Sequence, residues 1–128
     1  MGKKVLLVED TVEYREKLAE DLEKGGYSVI SASNGLEGIE ILKKEEGNVD
    51  LIVSDLHMPE LNGLDMAKKI FDENMTEAPI MILTTDASKE MKKKGKLAGI
   101  KTWILKPIKK ETFLGTVNLL VEKFGSDS

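Results

Sequence analysis

The chain has no cysteine, so neither a disulfide nor a thiolate metal site is available to it. It has one histidine, and a lone imidazole is a poor foundation for a metal centre. No apolar run approaches the roughly 18 residues of a membrane span. The amino terminus, MGKKVLLVED, lacks the apolar stretch and cleavage site of a signal peptide. These absences set the expectation of a cytoplasmic protein with no membrane insertion. The net charge is only −4, a poor match for nucleic acid as the main partner. What is present is ordinary for a globular protein: 41% apolar and 33% charged residues in a chain of 128, enough for one domain with a closed core.

Short apolar runs alternate with segments of helical period. The runs are Lys4 to Val8, Tyr27 to Ala32, Leu51 to Val53, Ile80 to Leu83 and Thr102 to Leu105. Helices are expected over Val12 to Lys24, Leu36 to Lys44, Leu64 to Asn74, Ser88 to Leu97 and Glu111 to Phe124, with apolar residues on one stripe in all but the fourth, which is polar. Strands apolar throughout, each followed by a crossover helix, imply a parallel sheet covered on both faces. Right-handed crossovers make an α/β doubly wound sandwich of five strands the economical topology. The second run is more mixed, as an edge strand would be. One domain over 1–128 is expected, its core from about 3 to 124, with nothing left over for an output domain.

In open sheets of this kind ligands bind beyond the carboxyl ends of the strands. Those ends carry Glu9-Asp10, Asp55, Thr84-Thr85 and Lys106-Pro107. An acid at a strand end is most often a helix cap or turn residue: Asp10 has the place to cap the first helix and Thr84 the fourth. Their concentration on one edge, from distant parts of the chain, points to a shared task. Three close carboxylates repel unless a cation joins them. An all-oxygen donor set suits a hard ion, Mg2+ before Ca2+. A phosphate drawn in by that metal would meet the ammonium of Lys106 and the hydroxyl of Thr84. Asp55 is then placed to attack phosphorus and become an aspartyl phosphate.

The segments VLLVED, DLHMPELNG, ILTTDAS and WILKP, in this order and separation, resemble the receiver domain of two-component response regulators across essentially the whole chain. The resemblance implies a flavodoxin-like, CheY-like (βα)5 fold with strand order 2-1-3-4-5. It implies that Asp55 is the phosphoacceptor, that Glu9 and Asp10 bind Mg2+ with Asp55 and the backbone carbonyl of His57, and that Thr84 is the switch hydroxyl. Lys106 would precede a cis peptide at Pro107. Trp103 falls where the family usually has a Tyr or Phe that swings inward on activation; its bulk makes a partly buried outer-strand residue the alternative. Thr85 stands where a smaller residue is commoner, which would narrow access to Thr84. His57 reads as an exposed ring at the crevice mouth.

The family implies a sensor histidine kinase as phosphodonor and the face of helix four, strand five and helix five as output surface. Lys89, Lys92, Lys93, Lys94 and Lys96 crowd that region, either as a solvated basic face or as a dock for an acidic partner. The segment GKLAGIKTWILKP is most similar to stand-alone chemotaxis regulators of the CheY type. That implies a monomer partnered by a chemotaxis-type kinase, a flagellar motor switch protein and a phosphatase. The alternative within signalling is a phosphorelay receiver that passes phosphate to a histidine phosphotransfer protein. An aspartate-nucleophile phosphatase would carry its nucleophile after the first strand in an acid-x-acid pattern. A flavin or dinucleotide carrier would need a Gly-rich phosphate loop after Val8. The protein is therefore expected to be a phosphoacceptor and not an enzyme in the ordinary sense.

Overall fold

The alternation of strand and helix is realised as β1(Lys4–Val8), α1(Val12–Lys24), β2(Ser28–Ala32), α2(Gly35–Lys44), β3(Leu51–Ser54), α3(Gly63–Asp72), β4(Ile80–Thr84), α4(Lys89–Leu97), β5(Thr102–Leu105) and α5(Lys110–Phe124). The structure, a computed structural model, describes residues 2–124. All strand pairs are parallel, in the order β2-β1-β3-β4-β5. Burial follows that order. The interior strands β3 and β4 are buried at every residue and β1 at all but its first, whereas β2 and β5 are mostly half-exposed edges. The mixed character of YSVISA and TWIL thus has a positional cause: only one neighbour shields each of them.

Successive strand residues point to opposite faces, and two cores result. Leu6, Val8, Ile52, Ile80 and Ile82 pack with Ile39 and Leu42 of α2 and Met66, Ala67 and Ile70 of α3. Val5, Leu7, Leu51, Val53, Met81 and Leu83 pack with Leu18 and Leu22 of α1 and Phe113, Val117, Leu120 and Val121 of α5. Each such side chain contributes about 1.5–3 kcal/mol on leaving water, so the sandwich rests on both faces at once.

Side-chain caps fix the starts of α2, α3 and α4: Asn34, Asn62 and Ser88 accept the amides of Glu37, Asp65 and Met91. Ser88 is therefore a cap and not the first helical residue. At α1 the N-cap is Thr11, with no side-chain cap bond, so Asp10 does not serve as a cap. Phe71, near the end of α3, and Leu97, at the end of α4, point outward, at 66% and 77% exposure. Only Gly95 of α4 is buried, which leaves that helix the most lightly attached.

Candidate functional site

Glu9, Asp10 and Asp55 come from the adjacent ends of β1 and β3. Val8 and Ser54 are register partners, and the Asp55 amide donates to the Val8 carbonyl at 2.9 Å, so the next residues along each strand face one crevice. One carboxylate oxygen from each of the three acids lies within 4.8 Å of the others. Local contacts hold each in place. Glu9, 1% exposed, accepts the Thr11 amide at 3.1 Å, and its backbone carbonyl accepts from the Arg15 guanidinium at 2.7 Å. Asp55 Oδ1 accepts the Leu56 amide at 2.7 Å. Asp10 makes no hydrogen bond or ion pair within the described residues. Its carboxylate is half-exposed and ready for an outside ligand.

Lys106, after β5, closes the group. Its ammonium lies 2.9 Å from Glu9 Oε1 and 3.2 Å from Asp55 Oδ2, above the Tyr14 ring at 4.5 Å from the centroid. The Lys106-Pro107 bond is cis. Burial alone would pull the lysine's pKa down, but the two carboxylates outweigh it and hold the ammonium above its ordinary value. For Glu9 the balance falls the other way: burial raises its pKa, and the Lys106 and Thr11 contacts offset that only in part. The same contact thus favours both charged forms, yet the two shifts run in the directions of a strong cation and a reluctant anion.

Thr84 is 1% exposed, and its hydroxyl oxygen accepts the Asp86 amide at 3.2 Å, which leaves the hydroxyl proton free to be donated. It caps nothing; Ser88 does that for α4. Thr85, beside it, is exposed. His57 is exposed, and its Nε2 lies 2.9 Å from Asp86 Oδ2. Trp103 is half-buried and donates Nε1–H to the Asp86 carbonyl at 2.9 Å. The Ser88 amide and the His57 ring together hold the Asp86 carboxyl below the usual carboxylate range.

The geometry is an acidic, half-buried crevice with one internal cation, at the carboxyl edge of a parallel sheet. Residues 5–118 match the family model described as the response regulator receiver domain. The chain is a response regulator receiver domain. The receiver is 33% identical over 119 residues to Protein PilH of Pseudomonas aeruginosa, covering 92% of this chain and 97% of that protein. It is 34% identical over 119 residues to the polar-differentiation response regulator DivK of Brucella anthropi, covering 91% and 94%. Among solved structures, the chemotaxis protein CheY4 of Vibrio cholerae superposes with a TM-score of 0.87 at 33% identity, covering 94% of this chain and 99% of that one. Receiver domains interact with histidine kinases and bind Mg2+ at an acidic pocket, and the three acids here supply such a pocket. No described helix of the receiver is long and apolar enough to cross a membrane.

Three residues of the receiver's crevice escape a reading of strand ends. Arg15 looks like part of an amphipathic stripe, yet it anchors the Glu9 backbone. Gly63 opens α3 so close beneath β3 that a Cβ there would sit 2.2 Å from the Asp55 carbonyl oxygen; only glycine permits that approach. Asp86 joins His57, Thr84, Ser88 and Trp103. The glycine had a signal, since Asn-Gly ends the loop and starts the helix. The Asp86 network had none, because half of it is backbone.

Proposed function

We propose that this receiver is a phosphorylation-activated switch whose phosphoacceptor is Asp55. The observation that carries the reading is the convergence of Glu9, Asp10 and Asp55 on one point with Lys106 bridging two of them. Asp55 Oδ attacks the phosphorus of a phosphohistidine on a sensor kinase. The O–P bond forms as the N–P bond breaks, and the imidazole leaves with the electron pair. Glu9, Asp10, Asp55 and the His57 backbone carbonyl hold Mg2+. When bound, that ion supplies positive charge that lets the phosphoryl group enter an acidic site. Lys106 transfers its contact from Asp55 to a phosphoryl oxygen, and Thr84 donates its free hydroxyl proton to another. The same groups support phosphoryl gain from a small donor and loss to water.

Exposing the receiver to acetyl phosphate and Mg2+ tests this. One acid-labile phosphoryl group per chain is expected by mass spectrometry, and none in Asp55→Asn; undiminished incorporation in that variant overturns the assignment.

The output we propose is reshaping of α4, β5 and α5, with Thr84 and Trp103 as moving parts, in the cytoplasm and as a monomer. α4 suits that role because Gly95 is its one buried residue, with only Met91 packed part-buried beside it on the core, and its Lys92 and Lys96, with Lys101, line a groove of about 400 Å3 beside Trp103. CheY4 is a chemotaxis protein, and that likeness supports a chemotaxis-type kinase; a flagellar motor switch protein and a phosphatase are the further partners we propose. DivK, at 34% identity, is named a polar-differentiation response regulator and not a chemotaxis protein, which keeps beside it the rival reading of a phosphorelay receiver feeding a histidine phosphotransfer protein. Binding of the beryllofluoride form to a motor switch peptide, set against phosphotransfer to an isolated phosphotransfer domain, separates the two.

A further inference from the structure

We propose that Tyr14 is a positioning residue for phosphoryl transfer: the face of its ring seats the Lys106 ammonium and keeps it in the crevice when Mg2+ claims the acids that the ammonium bridges. The inference rests on the phosphoacceptor reading of this site and names what holds its lysine in place.

Lys106 carries its charge on a long flexible stem, yet its side chain is only 17% exposed. An ammonium has three N–H donors. Glu9 Oε1 at 2.9 Å and Asp55 Oδ2 at 3.2 Å account for two of them. No third acceptor is found among the described residues; instead the ammonium lies over the Tyr14 ring, 4.5 Å from its centroid. The ring has a fixed seat of its own. Tyr14 stands in the first turn of α1, half-buried and packed on the core that Leu18, Phe113 and Val117 share with the sheet. Its hydroxyl makes no hydrogen bond among the described residues, so the contact belongs to the aromatic face. Burial pushes the phenol's pKa up, and at neutral pH an uncharged ring attracts the ammonium through its quadrupole.

The two kinds of contact answer a metal differently. Glu9 and Asp55 are also ligands of the Mg2+ we propose, so the ion competes with Lys106 for their oxygens and repels the ammonium as a like charge. The ring offers nothing to a hard ion that takes oxygen ligands. Among the described contacts of the ammonium, it is the one that metal loading does not contest. Without it the lysine stem regains rotamers in water, and Nζ spends less of its time where a phosphoryl oxygen arrives. Tyr14 thus pre-positions the charge that meets the phosphoryl group without touching that group itself.

The experiment follows labelling of the full chain by acetyl phosphate at saturating Mg2+. Tyr14→Leu keeps an apolar side chain on the core and removes the ring face. It is expected to lower the maximal rate about three- to thirtyfold, the scale of a partly desolvated cation–π contact. Mg2+ affinity by calorimetry should not weaken, since no metal ligand is touched. Tyr14→Phe, which loses only the hydroxyl, should label at the parent rate. In a Lys106→Ala background Tyr14→Leu should add no further loss, because the ring acts through the ammonium. NMR supplies a readout apart from activity. The ε-methylene protons of Lys106 should show an upfield ring-current shift with and without Mg2+, kept in Tyr14→Phe and lost in Tyr14→Leu. Three results overturn the proposal while labelling of the parent at Asp55 leaves the site assignment intact: equal rates in parent and Tyr14→Leu, a loss that persists in the Lys106→Ala background, or an unshifted Lys106 signal in the Mg2+-loaded parent. The parent signal decides even where Tyr14→Leu does not fold. Failure of the parent to label at Asp55 defeats the site assignment, and the role of Tyr14 in transfer falls with it.

Discussion

At Glu9 two demands on one carboxylate conflict. It is nearly fully buried, which favours the neutral acid, yet the Mg2+ site we propose needs it charged. Its folded-state pKa lies above the ordinary 4.5. A carboxyl shifted upward stabilises the fold while protonated, so its contribution is complete below 4.5 and is lost as pH rises through the raised value. Metal binding needs the ionised form and gains over the same interval. Mg2+ affinity, followed by Trp103 fluorescence, is therefore expected to climb as pH rises from about 4.5 toward neutrality. The urea midpoint of the metal-free protein should carry an opposing Glu9 component. A flat Mg2+ affinity across that range would contradict the burial of Glu9. Lys106 is also shifted upward, so its stabilising share persists through neutral pH and disappears only as pH rises past its raised value.

At the scale of elements, α5 closes the second core almost alone on its side of β3 and β4. Phe113 is 1% exposed among Leu83, Val117 and Leu120. Phe113→Ala is expected to cost about 3–5 kcal/mol by chemical denaturation, and a loss below 1 kcal/mol would mean that α5 does not seal this face. The ten elements were legible because most strands read as apolar runs and most helices as stripes; the mixed second strand and the polar fourth helix were legible from their place in the alternation. Their ends were legible to within a residue or two, with Asn74 instead of Asp72 expected to close α3; Asn74 takes a left-handed backbone at φ 51, which helical period alone does not show. The outward turn of Phe71 and Leu97 was not legible, because apolar character does not say how wide the covering sheet is. The site acids, Thr84 and Lys106 were legible as strand ends. Their pairing was not: that Lys106 bridges Glu9 and Asp55 depends on a fold contact between residues 97 apart in sequence.

For the molecule as a whole, the crevice is a point of stored repulsion relieved by one internal cation. Removing one acid should help the metal-free fold while destroying the metal site. Asp10→Asn is expected to raise metal-free stability by roughly 1 kcal/mol, given charges within 4.8 Å in a partly solvated pocket. In the parent chain, Mg2+ at 100 times its dissociation constant should add about 2.7 kcal/mol; in Asp10→Asn that increment should shrink or vanish. An equal Mg2+ increment in both proteins would place the ion elsewhere.

The span between Glu9 and Lys106 also bears on biosynthesis. As the ribosome extends the chain, β1 and β3 emerge long before the ammonium that tempers their acids, so the nascent pair of strand ends carries its full negative charge until β5 docks against β4. A chain cut short before residue 106 would present carboxylates with no internal counter-ion. The acidic pocket thus acquires its internal counter-ion only after both strands that carry its acids have been made.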